Sequence, residues 1–361
     1  MDDAIKHVLL DTPLADAHRA AGAKPGEWFG CALPSDFGDW QAEYRFATET
    51  VALLDENYRA YLEFTGPDRV RYLNAILTNN IKDLKTGEGI TSLFLNPQGR
   101  IQAEIETYAD AEKLLCVSFA MIREKLIPAL DHFIIMDDVT LTDESAKFGT
   151  LALEGPLAGA IVKQLSGVDL AELPELSWKD AKLGPIPSRI VRRSFRGIAN
   201  AEFVCTRSEL SALWKLLSDA AKSRSGGPAG YAALSALRLE AGIPWFGYDF
   251  GEKQIPHEAG LENSHISYTK GCYTGQEIVE RVRSRGQVNR VRALFRLSGT
   301  ELPAAETPIV FAGKEIGYVT RSAYSPAFQA NIAMGYIRRE QSDPGSEVQI
   351  SGATATVSSP L

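Results

Sequence analysis

No stretch of the chain approaches the ~18 consecutive apolar residues that a membrane-crossing helix needs, so no membrane span is expected. Cysteine is scarce: four in 361 residues, at positions 31, 116, 205 and 272, with no CxxC pair. That is too few and too scattered for a disulfide framework, and it fits a reducing compartment. Histidine is little more common, with five in the chain. His257 and His265 precede Cys272, but their spacing matches no zinc pattern and a second thiolate is missing, so no metal site is expected. Nothing in the sequence brings either histidine to Cys272 as a hydrolytic dyad. No phosphate-binding or dinucleotide-type glycine loop occurs, and Gly155-Pro156-Leu157-Ala158-Gly159 reads as the turn and close packing of a βα unit. Positive charge is in deficit, 38 Lys and Arg against 46 Asp and Glu for a net of −8, which argues against a general nucleic-acid coat. The first twenty residues hold Asp2, Asp3, Asp11 and Asp16 against Lys6 and Arg19, the wrong pattern for a secretory or organelle leader. A cytoplasmic location is expected.

What is present suffices for a folded core. At 45% hydrophobic and 23% charged the composition is that of a soluble globular chain, and its length fits two or three domains at roughly 150 residues each. The first fifty residues (1–50) read as helix and loop, broken by Pro25-Gly26, Gly30 and Pro34. A repeated sentence follows. Tyr61–Thr65 is strand-like, Gly66-Pro67 punctuates, and Val70, Leu73, Ile76 and Leu77 mark one helical face. Then Thr150–Leu153, Gly155-Pro156 and the face Leu157, Ile161, Val162 and Leu165 say the same again. Strands at 90–95, 101–108 and 114–119 with a helix at 121–133 complete the first copy. Strands at 189–195 and 202–206 with a helix at 208–222 complete the second. The expected fold class is α+β: duplicated ferredoxin-like units over 51–148 and 149–289. From 290 to 361, evenly spaced short strands without helices predict a small antiparallel β-barrel.

Residues 270–277 read Lys-Gly-Cys-Tyr-Thr-Gly-Gln-Glu. Thr274 and Glu277 have capping-box spacing, which places a helix N-terminus after Cys272. The helix end and Lys270 both favour a thiolate at Cys272, and Gly271 and Gly275 give it little steric cover. A functional thiol and an inert cysteine both remain open at this point. Cys116 and Cys205 lie in apolar strand runs and read as small hydrophobes. Between 270 and 296 stand seven cations, Lys270, Arg281, Arg283, Arg285, Arg290, Arg292 and Arg296, against Glu277 and Glu280. Arginine forks suit phosphates or clustered carboxylates, whereas the bland alternative is a face paired to acids elsewhere.

The octet Lys270–Glu277, with Gly271, Tyr273, Gly275, Gln276 and Glu277 around the cysteine, resembles the signature of YgfZ-type folate-binding proteins. Leu237–Gly242, Ile255–Leu261, Phe64–Asp68, Leu77–Asn80 and Asn96–Arg100 resemble the wider superfamily of the glycine-cleavage T-protein, an aminomethyltransferase. The resemblance spans roughly residues 40–350. It implies duplicated ferredoxin-like units around a folate-binding region, a C-terminal β-barrel, and tetrahydrofolate or a one-carbon derivative as cofactor. Glu202 is the best match to the superfamily's pterin-holding glutamate. Arg238 resembles its folate-contacting arginine, with Glu240 in the same Leu-Arg-Leu-Glu string. A carboxylate suits a pterin edge because it accepts two N–H bonds at once, while a salt bridge within the chain is the plain alternative. Ala103 and Glu104 stand where the superfamily carries paired aspartates, which speaks against aminomethyl transfer because small misplacements cost rate steeply.

Three functions are thereby in view. The first is a tetrahydrofolate-binding accessory protein for iron–sulfur enzymes, acting through Cys272 beside Lys270 on iron–sulfur client or assembly partners, with an influence on tRNA modification. The second is a folate-dependent aminomethyltransferase or methyltransferase. The third, direct nucleic-acid binding by the arginine run, fits worst with the overall acidity.

Overall fold

A computed structural model describes residues 9–286 and 288–361. Asp2, Asp3 and Lys6, used above for the leader argument, lie outside the described residues. The described residues form two units, one of residues 9–70, 83–90 and 106–233, the other of residues 71–82, 91–105, 234–286 and 288–361.

In the first unit a six-stranded sheet runs in the order Trp178–Leu183, Ile186–Phe195, Ile198–Thr206, Phe148–Glu154, Ala52–Asp55, Gly227–Pro228. Its pairs are antiparallel except the last, Gly227–Pro228 on Ala52–Asp55. Helices Ala158–Ser166 and Leu210–Lys222 supply Ile161, Val162, Leu213 and Leu217 to a core shared with Leu53, Leu151, Leu153 and Phe203 of the sheet. A second sheet has the order Gly89–Leu95, Ile101–Ala109, Leu114–Phe119, Arg59–Thr65, Thr140–Asp143. After each Gly-Pro turn a helix follows, Arg69–Ile76 and Ala158–Ser166. Both strand-to-helix turns also need glycine: Gly66 and Gly155 have φ of +97° and +128°. A Cβ there would lie 2.2 Å from the Asp138 carbonyl oxygen and 2.7 Å from that of Thr50.

The first fifty residues differ from expectation. Instead of helix and loop alone, strands Lys24–Trp28 and Cys31–Asp36 form a hairpin, joined in parallel by Leu10–Asp11. Phe29 and Gly30 turn it with φ of +52° and +71°, and two positive values in a two-residue loop match the twist of a hairpin. The prolines that suggested broken chain face each other, Pro25 opposite Pro34, beside a register shift, where strands tolerate them. Helix Trp40–Glu49 follows, its N-terminus capped by Asp39, which accepts from the Gln41 and Ala42 N–H groups at 3.1 Å.

In the second unit the expected barrel closes with six strands: Arg290–Leu297, Ala330–Arg338, Lys314–Ser325, Pro308–Phe311, Glu347–Ile350 and Ala353–Ser358. Phe295, Ile309, Val319, Ile337 and Val348 fill it. The sixth strand was not expected, because Ala-Thr-Ala-Thr-Val-Ser buries only Ala355 and Val357.

Candidate functional site

The octet lies in the second unit, on the approach to helix Gln276–Arg285. That helix begins at Gly275, in the left-handed region at φ +82°, and no side chain caps it. The capping box expected from Thr274 and Glu277 does not form. Glu277 turns away to Arg281 at 2.7 Å, and the loop instead uses Gln276 Oε1, which accepts from the Tyr273 N–H. Gly275 is required by space as well as φ, since a Cβ would lie 2.6 Å from the Asn96 carbonyl oxygen.

Cys272 is exposed, whereas Cys31, Cys116 and Cys205 are buried. Burial pushes those three thiols up, to about 11, about 12 and about 12, so they are inert at neutral pH. Lys270 does not serve the thiol in the manner expected. Its ammonium donates to the backbone carbonyls of Asn74 and Leu77, and to that of Asn79 at 3.0 Å, and it lies 5.1 Å from the centre of the Tyr273 ring. It closes the C-terminal end of helix Arg69–Ile76, where carbonyls lack helical partners. Burial pulls its pKa down to about 8.

The basic run is mostly spoken for. Arg281 pairs with Glu277, while Arg292 donates to the Ala259 and Gly242 carbonyls and Arg296 to that of Phe328. Arg281 is thus paired to an acid of its own helix, and Arg292 and Arg296 are structural donors to backbone carbonyls, a role that neither reading of the run foresaw. The Arg285 side chain lies outside the described atoms.

Glu202 sits in the first unit on the strand Ile198–Thr206, between Ala152 and Val191 of its neighbours. It is buried within an ionic cluster. Its Oε1 lies 2.6 Å from Arg59 Nη2 and 2.9 Å from Arg193 Nε. Glu106 takes Arg193 at 2.7 Å and Arg59 at 3.3 Å, and accepts the Tyr108 hydroxyl at 2.8 Å. Glu56 takes Arg59 at 2.9 Å. Three carboxylates thus share two guanidiniums. Burial raises Glu202 to about 8 against the pull of Arg193 and Arg59, while at Glu106 the same two arginines outweigh burial and lower it to about 2. The cavity lined by Arg59, Tyr61, Tyr108, Arg189 and both glutamates measures about 10 Å³, about the room one water needs. As the structure stands, the lone pairs of Glu202 face guanidinium rather than open space. Arg59, Arg193 and Glu106 were missed by sequence reasoning; each shares its strand with other charged residues, so none stands out.

Arg238 and Glu240 lie on helix Tyr231–Glu240. Arg238 is half-buried, its carbonyl accepting from the Ile243 N–H at 2.8 Å. Glu240 is wholly buried and accepts from Ser325 Oγ at 2.5 Å and from the Ala327 N–H at 3.3 Å. That carboxylate braces a barrel turn instead of facing a ligand.

Glu104 meets a histidine. Its Oε1 lies 2.9 Å from His265 Nε2, and His265 Nδ1 lies 2.7 Å from Ser264 Oγ. Thr78 and Asn79 of the Leu-Thr-Asn-Asn string hold the segment: Thr78 Oγ1 donates to the His265 carbonyl at 2.6 Å and Asn79 Nδ2 to that of Ser264 at 3.4 Å.

A family model for the GCVT N-terminal domain matches residues 14–266, and one for the glycine cleavage T-protein C-terminal barrel domain matches residues 290–359. The chain belongs to the glycine-cleavage T-protein family. It is 30% identical over 346 residues to an aminomethyltransferase of Moorella thermoacetica, covering 95% of this chain and 93% of that one. With an aminomethyltransferase of a Geobacillus species the identity is 27% over 346 residues, 95% and 94% of the two chains. The solved glycine cleavage system aminomethyltransferase T from Bartonella henselae superposes with a TM-score of 0.88 at 23% identity, over 98% of this chain and 97% of that one. That likeness shows the T-protein fold. The T-protein family uses tetrahydrofolate as substrate or cofactor. The relationship reaches the family as a whole and not the YgfZ subtype that the octet resembles.

Proposed function

We propose that this chain binds tetrahydrofolate and transfers an aminomethyl or related one-carbon group to it. Membership of the T-protein family supports the substrate class, and the Glu104–His265 contact at 2.9 Å carries the chemistry. The carbon bonds to two folate nitrogens, each of which loses a proton, while its bonds to the amine nitrogen and to the donor break and each leaving group takes up a proton. A carboxylate–imidazole pair can accept such protons and return them. The absence of paired aspartates, which argued against transfer on sequence, is offset by His265, which supplies the missing basic group beside the longer Glu104.

Glu202 is the proposed pterin contact, and Arg59 must swing off its carboxylate before it can accept the pterin N–H groups. Arg238 remains a proposed folate contact. The test is formation of methylene-tetrahydrofolate from tetrahydrofolate and an aminomethyl donor. Absence of product with the folded parent chain rejects the reading.

One observation favours a second function. Cys272 is the exposed cysteine of the four, and it lies in the octet. That supports a cytoplasmic folate-binding accessory of iron–sulfur enzymes, with influence on tRNA modification through such clients. If so, Cys272→Ala abolishes support of client enzymes while folate affinity is kept.

A further inference from the structure

A pocket of about 590 Å³ opens in the second unit, and among its lining residues are Arg283, Arg339, Asn263, Ser342, Tyr268 and Glu262. Both arginines are held in place before any ligand arrives. Arg283 lies over the Tyr268 ring at 4.2 Å from its centre, and Tyr268 is fixed in turn by a 3.2 Å hydrogen bond to His257 Nε2. Arg339 donates to the Gly286 carbonyl at 3.0 Å.

Beside this pocket the barrel carries a charge conflict. Arg290 and Arg338 stand directly opposite one another across the antiparallel pair of strands, next in sequence to the lining residues Val291 and Arg339. Like charges in that register destabilise a sheet. Among the described residues, Arg290, Arg338 and Arg339 have no carboxylate partner, and Arg283 has only Glu280 at 3.5 Å. In a chain of net charge −8, two positioned arginines on the wall of one pocket, with Glu280 the one carboxylate paired to either, mark a place for anionic charge from outside.

We infer that this pocket binds a small phosphorylated molecule. Arg283, Arg339, Asn263 and Ser342 offer a donor-rich wall for phosphate oxygens, which only accept. Glu262, the one acid among the lining residues, takes a hydroxyl of the same ligand, as on a sugar phosphate. The volume lies within the range of small-molecule sites.

Titration calorimetry on the full chain, with inorganic pyrophosphate and ribose 5-phosphate as probes and citrate as the carboxylate control, tests this. Both phosphates should bind, more weakly as salt rises, and Arg283→Gln and Arg339→Gln should each weaken them about tenfold or more. Glu262→Gln should weaken ribose 5-phosphate and spare pyrophosphate. Arg338→Gln should raise the melting temperature by relieving the cross-strand repulsion, a readout that needs no ligand. Absence of phosphate binding by the parent overturns the inference. So does affinity unchanged in both arginine variants, citrate bound as tightly as pyrophosphate, or a lowered melting temperature for Arg338→Gln.

Discussion

Arg59 reaches from the strand Arg59–Thr65 to Glu202 on the strand Ile198–Thr206, 2.6 Å away and 143 positions later in the chain. The contact joins strands of two different sheets through a buried ion pair. Replacing Arg59 with Gln strips Glu56 of its guanidinium and leaves Glu106 and Glu202 facing Arg193 alone. A stability loss of about 3–5 kcal/mol is expected, because a buried charge stripped of its partner is costly. Urea unfolding measures it, and a loss below about 1 kcal/mol would show the cluster to be wetter than described.

The pH dependence of stability carries the signature of Glu202. Its folded pKa, about 8, lies above the unfolded value of 4.5, so the folded state keeps a proton that the unfolded state releases. The stabilisation is complete below pH 4.5 and fades as pH rises to about 8, with a slope of up to about 1.4 kcal/mol per unit. Glu106 works the other way. Lowered to about 2, it stabilises above pH 4.5 and loses that contribution as pH falls toward 2. In Glu202→Gln the alkaline slope should vanish and the acid one persist. Denaturation midpoints across this range decide it.

Lys270→Met should cost about 1–3 kcal/mol, since the carbonyls of Asn74, Leu77 and Asn79 lose their donor. The cost should appear as faster hydrogen exchange in helix Arg69–Ile76. Protection unchanged there would mean that other groups satisfy the helix end.

For the proposed transfer, His265→Gln should lower the rate by about 10²–10⁴, the usual contribution of a positioned acid–base group. Tetrahydrofolate affinity should stay within a factor of two or three. Parallel loss of rate and affinity would make His265 a structural support.

Native protein treated with iodoacetamide should be labelled at Cys272 and spared at Cys31, Cys116 and Cys205, whose thiols are buried; unfolded protein should take four labels. Mass spectrometry of the peptides reads this directly. If Cys272→Ala transfers one-carbon groups as fast as the parent, the thiol has no part in that reaction.

Elements that bury apolar side chains in a periodic pattern were legible in the sequence. The repeat around Gly66-Pro67 and Gly155-Pro156 and five of six barrel strands fall in this class. Thr140–Asp143 and Trp178–Leu183 escaped as sheet edges with polar, largely exposed residues, where hydrophobic alternation is weak, and the wholly buried Ala52–Asp55 escaped because so short an apolar run carries no period. The N-terminal hairpin escaped because proline and glycine usually interrupt strands, and here they occupy its turn and its register shift. Site residues followed another logic. Cys272 and Glu202 stood out by motif, but what surrounds them did not. The partners of Glu202 arrive from strands far apart in sequence, and the Lys270 ammonium found backbone carbonyls that no motif records. Charge density misled in part, because several arginines of the run are structural donors to carbonyls.

The ring of barrel strands is completed when Arg290–Leu297 bonds to Ala353–Ser358, the last strand of the chain. Cutting the chain before Ala353 would therefore bare two neighbouring strands at once, Arg290–Leu297 and Glu347–Ile350. Each would present unpaired backbone groups to the next molecule, and the shortened product should polymerise edge to edge rather than remain a smaller version of itself.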